Sequence, residues 1–123
     1  MRILIVEDEF KLADLISARL EKEKYTVDIS LDGESGLDNA LTGIYDLIIL
    51  DVMLPKINGF EILKCIKNNN IKSSVIMLTA KSELEDKLNG FSYGIVDYIT
   101  KPFHMEELVA RVNVHLRNNV SVD

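Results

Sequence analysis

Asp51 follows the unbroken apolar run Leu47-Ile48-Ile49-Leu50 and precedes Val52-Met53-Leu54-Pro55. A run of that kind reads as a strand buried on both faces of a parallel sheet. Its terminal carboxylate then stands at the carboxyl edge of the sheet, where open α/β folds place their ligands. Three other runs end in reactive groups: Ile3-Leu4-Ile5-Val6 in Glu7 and Asp8, Val75-Ile76-Met77-Leu78 in Thr79, and Tyr98-Ile99-Thr100 in Lys101 and Pro102. Three carboxylates crowded at one edge repel, and one is driven toward protonation. A hard divalent cation removes the conflict, because Mg²⁺ binds through oxygen and is held by one or two carboxylates together with phosphate oxygens and water. Phosphoryl transfer needs such a metal, positive charge on the equatorial oxygens and a placed nucleophile. Lys101 can supply the charge, Thr79 a hydrogen bond, and a carboxylate can itself be the nucleophile. A single acid beyond a strand is more simply a loop residue or a helix cap. Five such groups at four strand ends, in this order, argue against coincidence.

The elements that must position these groups alternate regularly. Strands are predicted at roughly 2–6, 25–30, 46–50, 74–78 and 96–100, and helices at roughly 10–23, 33–42, 58–69, 82–91 and 105–117. Leu12, Leu15, Ile16 and Leu20 recur at helical spacing in the first helix, and Met105, Leu108, Val109, Val112 and Leu116 in the last. Asp32 before Gly33-Glu34 reads as an N-cap, and Ser82-Glu83-Leu84-Glu85 as a capping box. The alternating second strand, Tyr25-Thr26-Val27-Asp28-Ile29, suits a sheet edge. Five strand–helix pairs imply an α/β, doubly wound parallel sheet covered on both faces, and right-handed crossovers leave few topologies. The flavodoxin-like order 2-1-3-4-5 sets the first and third strands side by side, bringing Asp8 to Asp51. The helical pattern is lost at Asn118, so residues 1–117 form one domain and 118–123 a frayed tail or the start of a linker.

Net charge is −6 and the pI about 4.9, which disfavours direct nucleic-acid contact by this domain, since phosphate contacts need a basic surface. No apolar run is long enough to cross a bilayer, no signal peptide is visible at Met1-Arg2-Ile3, and Cys65 has no partner cysteine. These features point to a cytoplasmic protein with no membrane association.

Four motifs in order carry a resemblance: Ile5-Val6-Glu7-Asp8-Glu9; Asp51-Val52-Met53-Leu54-Pro55 with Gly59; Leu78-Thr79-Ala80; and Asp97-Tyr98-Ile99-Thr100-Lys101-Pro102-Phe103. Over essentially its whole length the chain resembles the receiver domain of two-component response regulators, which have the CheY-like (βα)5 fold. The resemblance implies that Asp51 accepts a phosphoryl group from a histidine kinase. It implies Mg²⁺ on Asp8 and Asp51, with Glu7 acting through water and the backbone carbonyl of Met53 as a further ligand. Lys101 would contact the phosphoryl oxygens, Thr79 and the backbone N–H of Ala80 would bond them, and Tyr98 would turn inward. Lys101-Pro102 would be a cis peptide. The domain would be a switch that assists its own phosphorylation and dephosphorylation rather than an enzyme with a separate substrate. Phosphorylation adds charge and acceptor oxygens, which need only favour one of two existing packings of the face made by helix 82–91, strand 96–100 and helix 105–117.

Asp97-Tyr98, Lys87, Glu107 and Arg111 are similar to the OmpR/PhoB-like class, which would imply an activated homodimer and an attached DNA-binding domain for transcription regulation. By analogy Lys87 would pair with Glu107, and Asp97 with Arg111, between subunits, around an apolar patch of Leu88, Phe91 and Val109. Glu107 and Arg111 are also spaced i,i+4 and can bond within one helix. Ile95 and Val96 stand where the class has alanine and an acid, which removes one expected inter-subunit pair. A stand-alone receiver, or an interaction module that works without phosphorylation, are the rivals; a missing acceptor, acid pair or lysine would mark the latter, and all are present. A flavodoxin would want a glycine-rich phosphate loop after the first strand. A haloacid-dehalogenase-type phosphatase would want an acid where Met53 stands. His104 reads as a surface or capping residue, and His115 as a residue suited to a helix C-terminus. Met53 and Lys81, each two residues beyond a site residue, are candidates for tuning the lifetime of the phosphorylated state.

Overall fold

A computed structural model describes residues 1–80 and 94–117. Within them the element order is β1 (Arg2–Val6), α1 (Phe10–Lys22), β2 (Thr26–Ser30), α2 (Gly33–Ala40), β3 (Leu47–Asp51), α3 (Gly59–Asn68), β4 (Ser74–Ala80), β5 (Asp97–Lys101) and α4 (Met105–Arg117). The strands form one sheet in the order β2-β1-β3-β4-β5, all parallel, with β2 at an edge as its alternating sequence predicts. The helix expected over 82–91 and its capping box, together with Lys81, Lys87, Leu88, Phe91 and the tail 118–123, lie outside the described residues.

Pairing moves several strand ends from their expected places. β3 includes Asp51, because Asp51 lies in register with Leu78, and the Val52 N–H goes on to donate to the Leu78 carbonyl at 3.1 Å. β4 runs past Leu78 to Ala80, because Thr79 and Ala80 pair with Thr100 and Lys101. Asp51, Thr79 and Lys101 therefore sit on the last rungs of the sheet and not in loops beyond it, whereas Glu7 and Asp8 follow the end of β1.

Alternation along the strands divides the core into two layers. Ile3, Ile5, Ile49, Ile76, Leu78 and Ile99 pack against Ile16 and Leu20 of α1 and Leu108 and Val112 of α4. Leu4, Val6, Ile48, Leu50 and Met77 pack on the other side against Ala40 of α2 and Ile62, Leu63 and Ile66 of α3. Each such large side chain contributes about 1.5–3 kcal/mol by leaving water. Truncating Ile49 at the centre would cost about 2–5 kcal/mol.

Two expected positions are corrected. Leu15 is 60% exposed rather than part of the α1 stripe. At about 100° per residue it lies roughly 150° from the centre of the buried residues Ala13, Ile16, Ser17 and Leu20. Val109 is buried with Leu108, Val112 and Leu116 in the core and is not displayed as part of a surface patch.

Candidate functional site

The strand register explains why the acids and the lysine meet. Ile5 pairs with Ile49, Ile49 with Ile76, and Leu78 with Ile99, all facing the layer beneath α1 and α4. Glu7, Asp51 and Lys101 each lie two residues beyond one of these isoleucines, so the alternation returns them to the same face at the carboxyl edge. Lys101 bridges the two acids, with Nζ 2.6 Å from Glu7 Oε1 and 2.8 Å from Asp51 Oδ2. Glu7 is fully buried and Asp51 is 4% exposed, so both carboxylates need partners. Glu7 Oε2 accepts the Glu9 N–H at 3.3 Å, and Asp51 Oδ1 accepts the Met53 N–H at 3.1 Å.

Asp8 completes the cluster from the mouth of the site. Carboxylate oxygens of Glu7, Asp8 and Asp51 all lie within 4.8 Å of one another. Desolvation, then a hydrogen bond and charge repulsion from Glu7, push the Asp8 carboxyl above the ordinary aspartate range. Burial alone would weaken the Lys101 ammonium, but its bonds to Asp51 and Glu7 hold its pKa above the ordinary lysine value. Three acids against one lysine leave uncompensated negative charge in an oxygen-only donor set. That composition fits a hard divalent cation such as Mg²⁺ and disfavours a softer metal.

Thr79 and Tyr98 fall on the opposite face of the sheet. Met77 pairs with Tyr98, Tyr98 packs against the layer beneath α2 and α3, and Thr79 is two residues beyond Met77. Thr79 is buried and its hydroxyl lies 3.4 Å from the Ala80 carbonyl, to which it donates. Tyr98 is half-buried. The structure thus places Asp51 and the threonine–tyrosine pair on opposite sides of the same strand ends.

Gly59 lets the backbone close around Asp51. A side chain at Gly59 would place its Cβ 2.3 Å from the Asp51 carbonyl oxygen, and the Gly59 N–H donates to the Val52 carbonyl at 2.9 Å. Asn58 starts α3 by accepting the Glu61 N–H at 3.0 Å, which fixes where Gly59 enters. The Lys101-Pro102 peptide is cis, as the resemblance implies.

The face of β5 and α4 is arranged differently from the inter-subunit pairing. Arg111 bonds Asp97 at 2.7 Å and Glu107 at 3.2 Å within the same chain. His115 Nε2 lies 3.0 Å from the other Asp97 oxygen. Burial alone would raise the Asp97 carboxyl, but the bonds from His115 and Arg111 outweigh it and hold it below the ordinary range. The His115 contact was missed in the sequence. Its signal is the i,i+4 spacing from Arg111, which aims both side chains at the start of β5. His104 precedes α4, its carbonyl accepting the Glu107 N–H at 3.0 Å.

The sequence matches the family described as the response regulator receiver domain over residues 3–113. It is 53% identical over 116 residues to response regulator ArlR of Staphylococcus saprophyticus, covering 94% of this chain and 52% of that protein. It is 47% identical over 119 residues to transcriptional regulatory protein DltR of Streptococcus agalactiae, covering 97% of this chain and 53% of that one. The chain therefore spans about half the length of these curated relatives. The receiver domain of a Francisella response regulator superimposes with a TM-score of 0.90 at 34% identity, covering 97% of this chain and 98% of that one.

Proposed function

The chain belongs to the response regulator receiver domain family, and on that premise we propose that Asp51 is the acceptor of a phosphoryl group delivered by a histidine kinase. The observation that carries the reading is the buried Glu7–Lys101–Asp51 bridge with Asp8 beside it. A carboxylate oxygen of Asp51 forms the new P–O bond while the donor's P–N bond breaks and its electron pair leaves with the imidazole. Water attacking the same phosphorus later restores the carboxylate.

Residues of this chain divide the work. Asp8 and Asp51, the Met53 carbonyl and, through water, Glu7 would hold Mg²⁺, which supplies neutralising charge to the phosphoryl oxygens. The Met53 N–H orients Asp51 through Oδ1. Lys101 already touches the other oxygen, so a short movement puts its ammonium on the incoming phosphoryl group. Thr79 and the Ala80 N–H bond that group in turn, and Tyr98 follows Thr79 on their shared face. The signal leaves through β5, α4 and residues 82–91, where Lys87, Leu88, Phe91, Asp97, Glu107 and Arg111 form the homodimer surface. An attached DNA-binding domain, for which the relatives have the extra length, would carry the output in transcription. No helix among the described residues is long and apolar enough to cross a membrane, and a cytoplasmic location completes the reading.

The test is intact mass after incubation with acetyl phosphate, with and without Mg²⁺, for the native chain and Asp51→Asn. Addition of one phosphoryl group that needs both Mg²⁺ and Asp51 is the expected result. No addition, with no binding of beryllofluoride either, would overturn it.

A further inference from the structure

Apart from Asp51 at the end of β3, the oxygen donors of the site sit on two loops, one after β1 with Glu7 and Asp8 and one after β3 with Met53. A third segment, the turn from Ser30 to Gly33 between β2 and α2, is bonded to both. The Glu7 N–H donates to the Ser30 carbonyl at 3.1 Å, and the Gly33 N–H donates to the Pro55 carbonyl at 3.1 Å. Pro55 also accepts the Ile57 N–H at 2.9 Å, which folds the β3–α3 loop back onto the turn. The approach at Gly33 is very close: a Cβ there would lie 1.8 Å from the Ile57 carbonyl oxygen and 2.6 Å from its carbon. Those are backbone atoms, so no side-chain rotation relieves the clash.

The turn is itself held on both flanks. The buried Ser30 hydroxyl accepts from Ser35 Oγ at 3.1 Å and from Asn39 Nδ2 at 2.7 Å, tying β2 to the first two turns of α2. Asp32 caps the Ser35 N–H at 2.8 Å and reaches across to Lys56 at 3.5 Å. Lys56 has φ +72°, a conformation that costs a non-glycine residue free energy and persists when its surroundings impose it.

We propose that the Ser30–Gly33 turn is a bracket that fixes the spacing of the two donor loops, with Ser30 and Gly33 as positioning residues for the divalent cation. The proposal rests on the Mg²⁺ reading above and adds residues that reach neither cation nor phosphoryl group. It has a chemical signature. Mg²⁺ demands near-ideal octahedral geometry at about 2.0–2.1 Å, whereas Ca²⁺ accepts irregular oxygen sets at about 2.3–2.6 Å. A rigid bracket therefore favours the smaller ion, and loosening it penalises Mg²⁺ more than Ca²⁺.

The experiment is calorimetric titration of the native chain with MgCl2 and with CaCl2, repeated on Gly33→Ala, Ser30→Ala and Val112→Ala. Val112 lies in the core under α4, so its truncation reports lost stability without touching the bracket. Gly33→Ala is expected to weaken Mg²⁺ binding by about 10- to 100-fold, the usual range for supports behind a metal site, and Ca²⁺ binding by clearly less. Ser30→Ala, which loses only a hydroxyl, shifts both constants in the same sense by a smaller factor and serves as the test should Gly33→Ala not fold. Val112→Ala lowers the melting temperature with both constants unchanged. Equal losses for the two ions, or unchanged Mg²⁺ binding in the folded bracket variants, would overturn the bracket alone. A native chain that binds no Mg²⁺ would overturn the parent reading and the bracket with it.

Discussion

Replacing Lys101 with methionine keeps most of the side chain's bulk and removes the ammonium that lies 2.6 Å from Glu7 and 2.8 Å from Asp51. The two acids remain buried, now with Asp8 as a like-charged neighbour. Removing one partner of a buried ion pair costs about 3–5 kcal/mol, because the other charge stays behind. Lys101 is 29% exposed along its side chain, so solvent screens part of the loss and the lower end applies, about 3 kcal/mol. For a chain of this size one kcal/mol moves the melting temperature by about 3–5 °C, so the metal-free variant should melt about 10 °C below the native protein. Circular dichroism melts in EDTA near neutral pH give the first half of the test. The second half adds Mg²⁺. In the native chain the cation must compete with an ammonium for the same oxygens; in the variant it meets unopposed negative charge. At about 100 times its dissociation constant a ligand stabilises by about 2.7 kcal/mol, and the variant reaches that ratio at lower concentration. Mg²⁺ should therefore raise the variant's melting temperature more than the native one's. Coincident melts in EDTA, or equal gains with Mg²⁺, would show that the bridge does not couple folding to the cation site.

Three further expectations test other parts of the structure. Burial, then the hydrogen bond to Asp28 at 2.7 Å, push the Tyr45 hydroxyl from 10.0 to about 12; the folded state thus favours the protonated form, and this stability is intact below pH 10 and lost as pH rises through about 12. Absorbance-monitored alkaline titration should show that late step, and Tyr45→Phe should delete it. Asp97 is held below 3.8, so its contribution is present above that pH and lost as pH falls through the lower folded value; acid unfolding of Arg111→Ala/His115→Ala should begin at higher pH than in the native chain, and an unmoved midpoint would count against the network. Leu15→Gln should change stability by less than about 0.5 kcal/mol, whereas Val109→Ala should cost about 2 kcal/mol in urea unfolding; equal costs would contradict their opposite burial.

The site was legible in the sequence because a buried parallel strand declares itself as an apolar run, and the residue that ends the run must stand at the sheet edge. Asp51, Thr79 and Lys101 could be placed that way, and period-two alternation then decides which of them share a face. Strand ends were less legible, since pairing with β5 prolongs β4 to Ala80, a tertiary effect absent from local pattern. Leu15 misled because spacing alone admits it to a stripe whose centre is fixed only by what packs against it. Val109 and Arg111 show the same limit from the other side. Helical spacing puts Val109 in the core stripe, yet a resemblance at the surface assigned it to a patch. Arg111 had two acids in reach, and the sequence does not say which belongs to the same chain.

The intrachain network of Asp97, Arg111, Glu107 and His115 has a consequence for how ionic strength would act on self-association. A dimer that joins Asp97 of one copy to Arg111 of another exchanges existing ion pairs and adds few new ones. Dissolved salt screens both arrangements to a similar degree, so it has little purchase on the equilibrium between them. Association across this face would then show a flat response to added salt, despite a contact surface rich in charge, and its strength would follow the apolar area brought together.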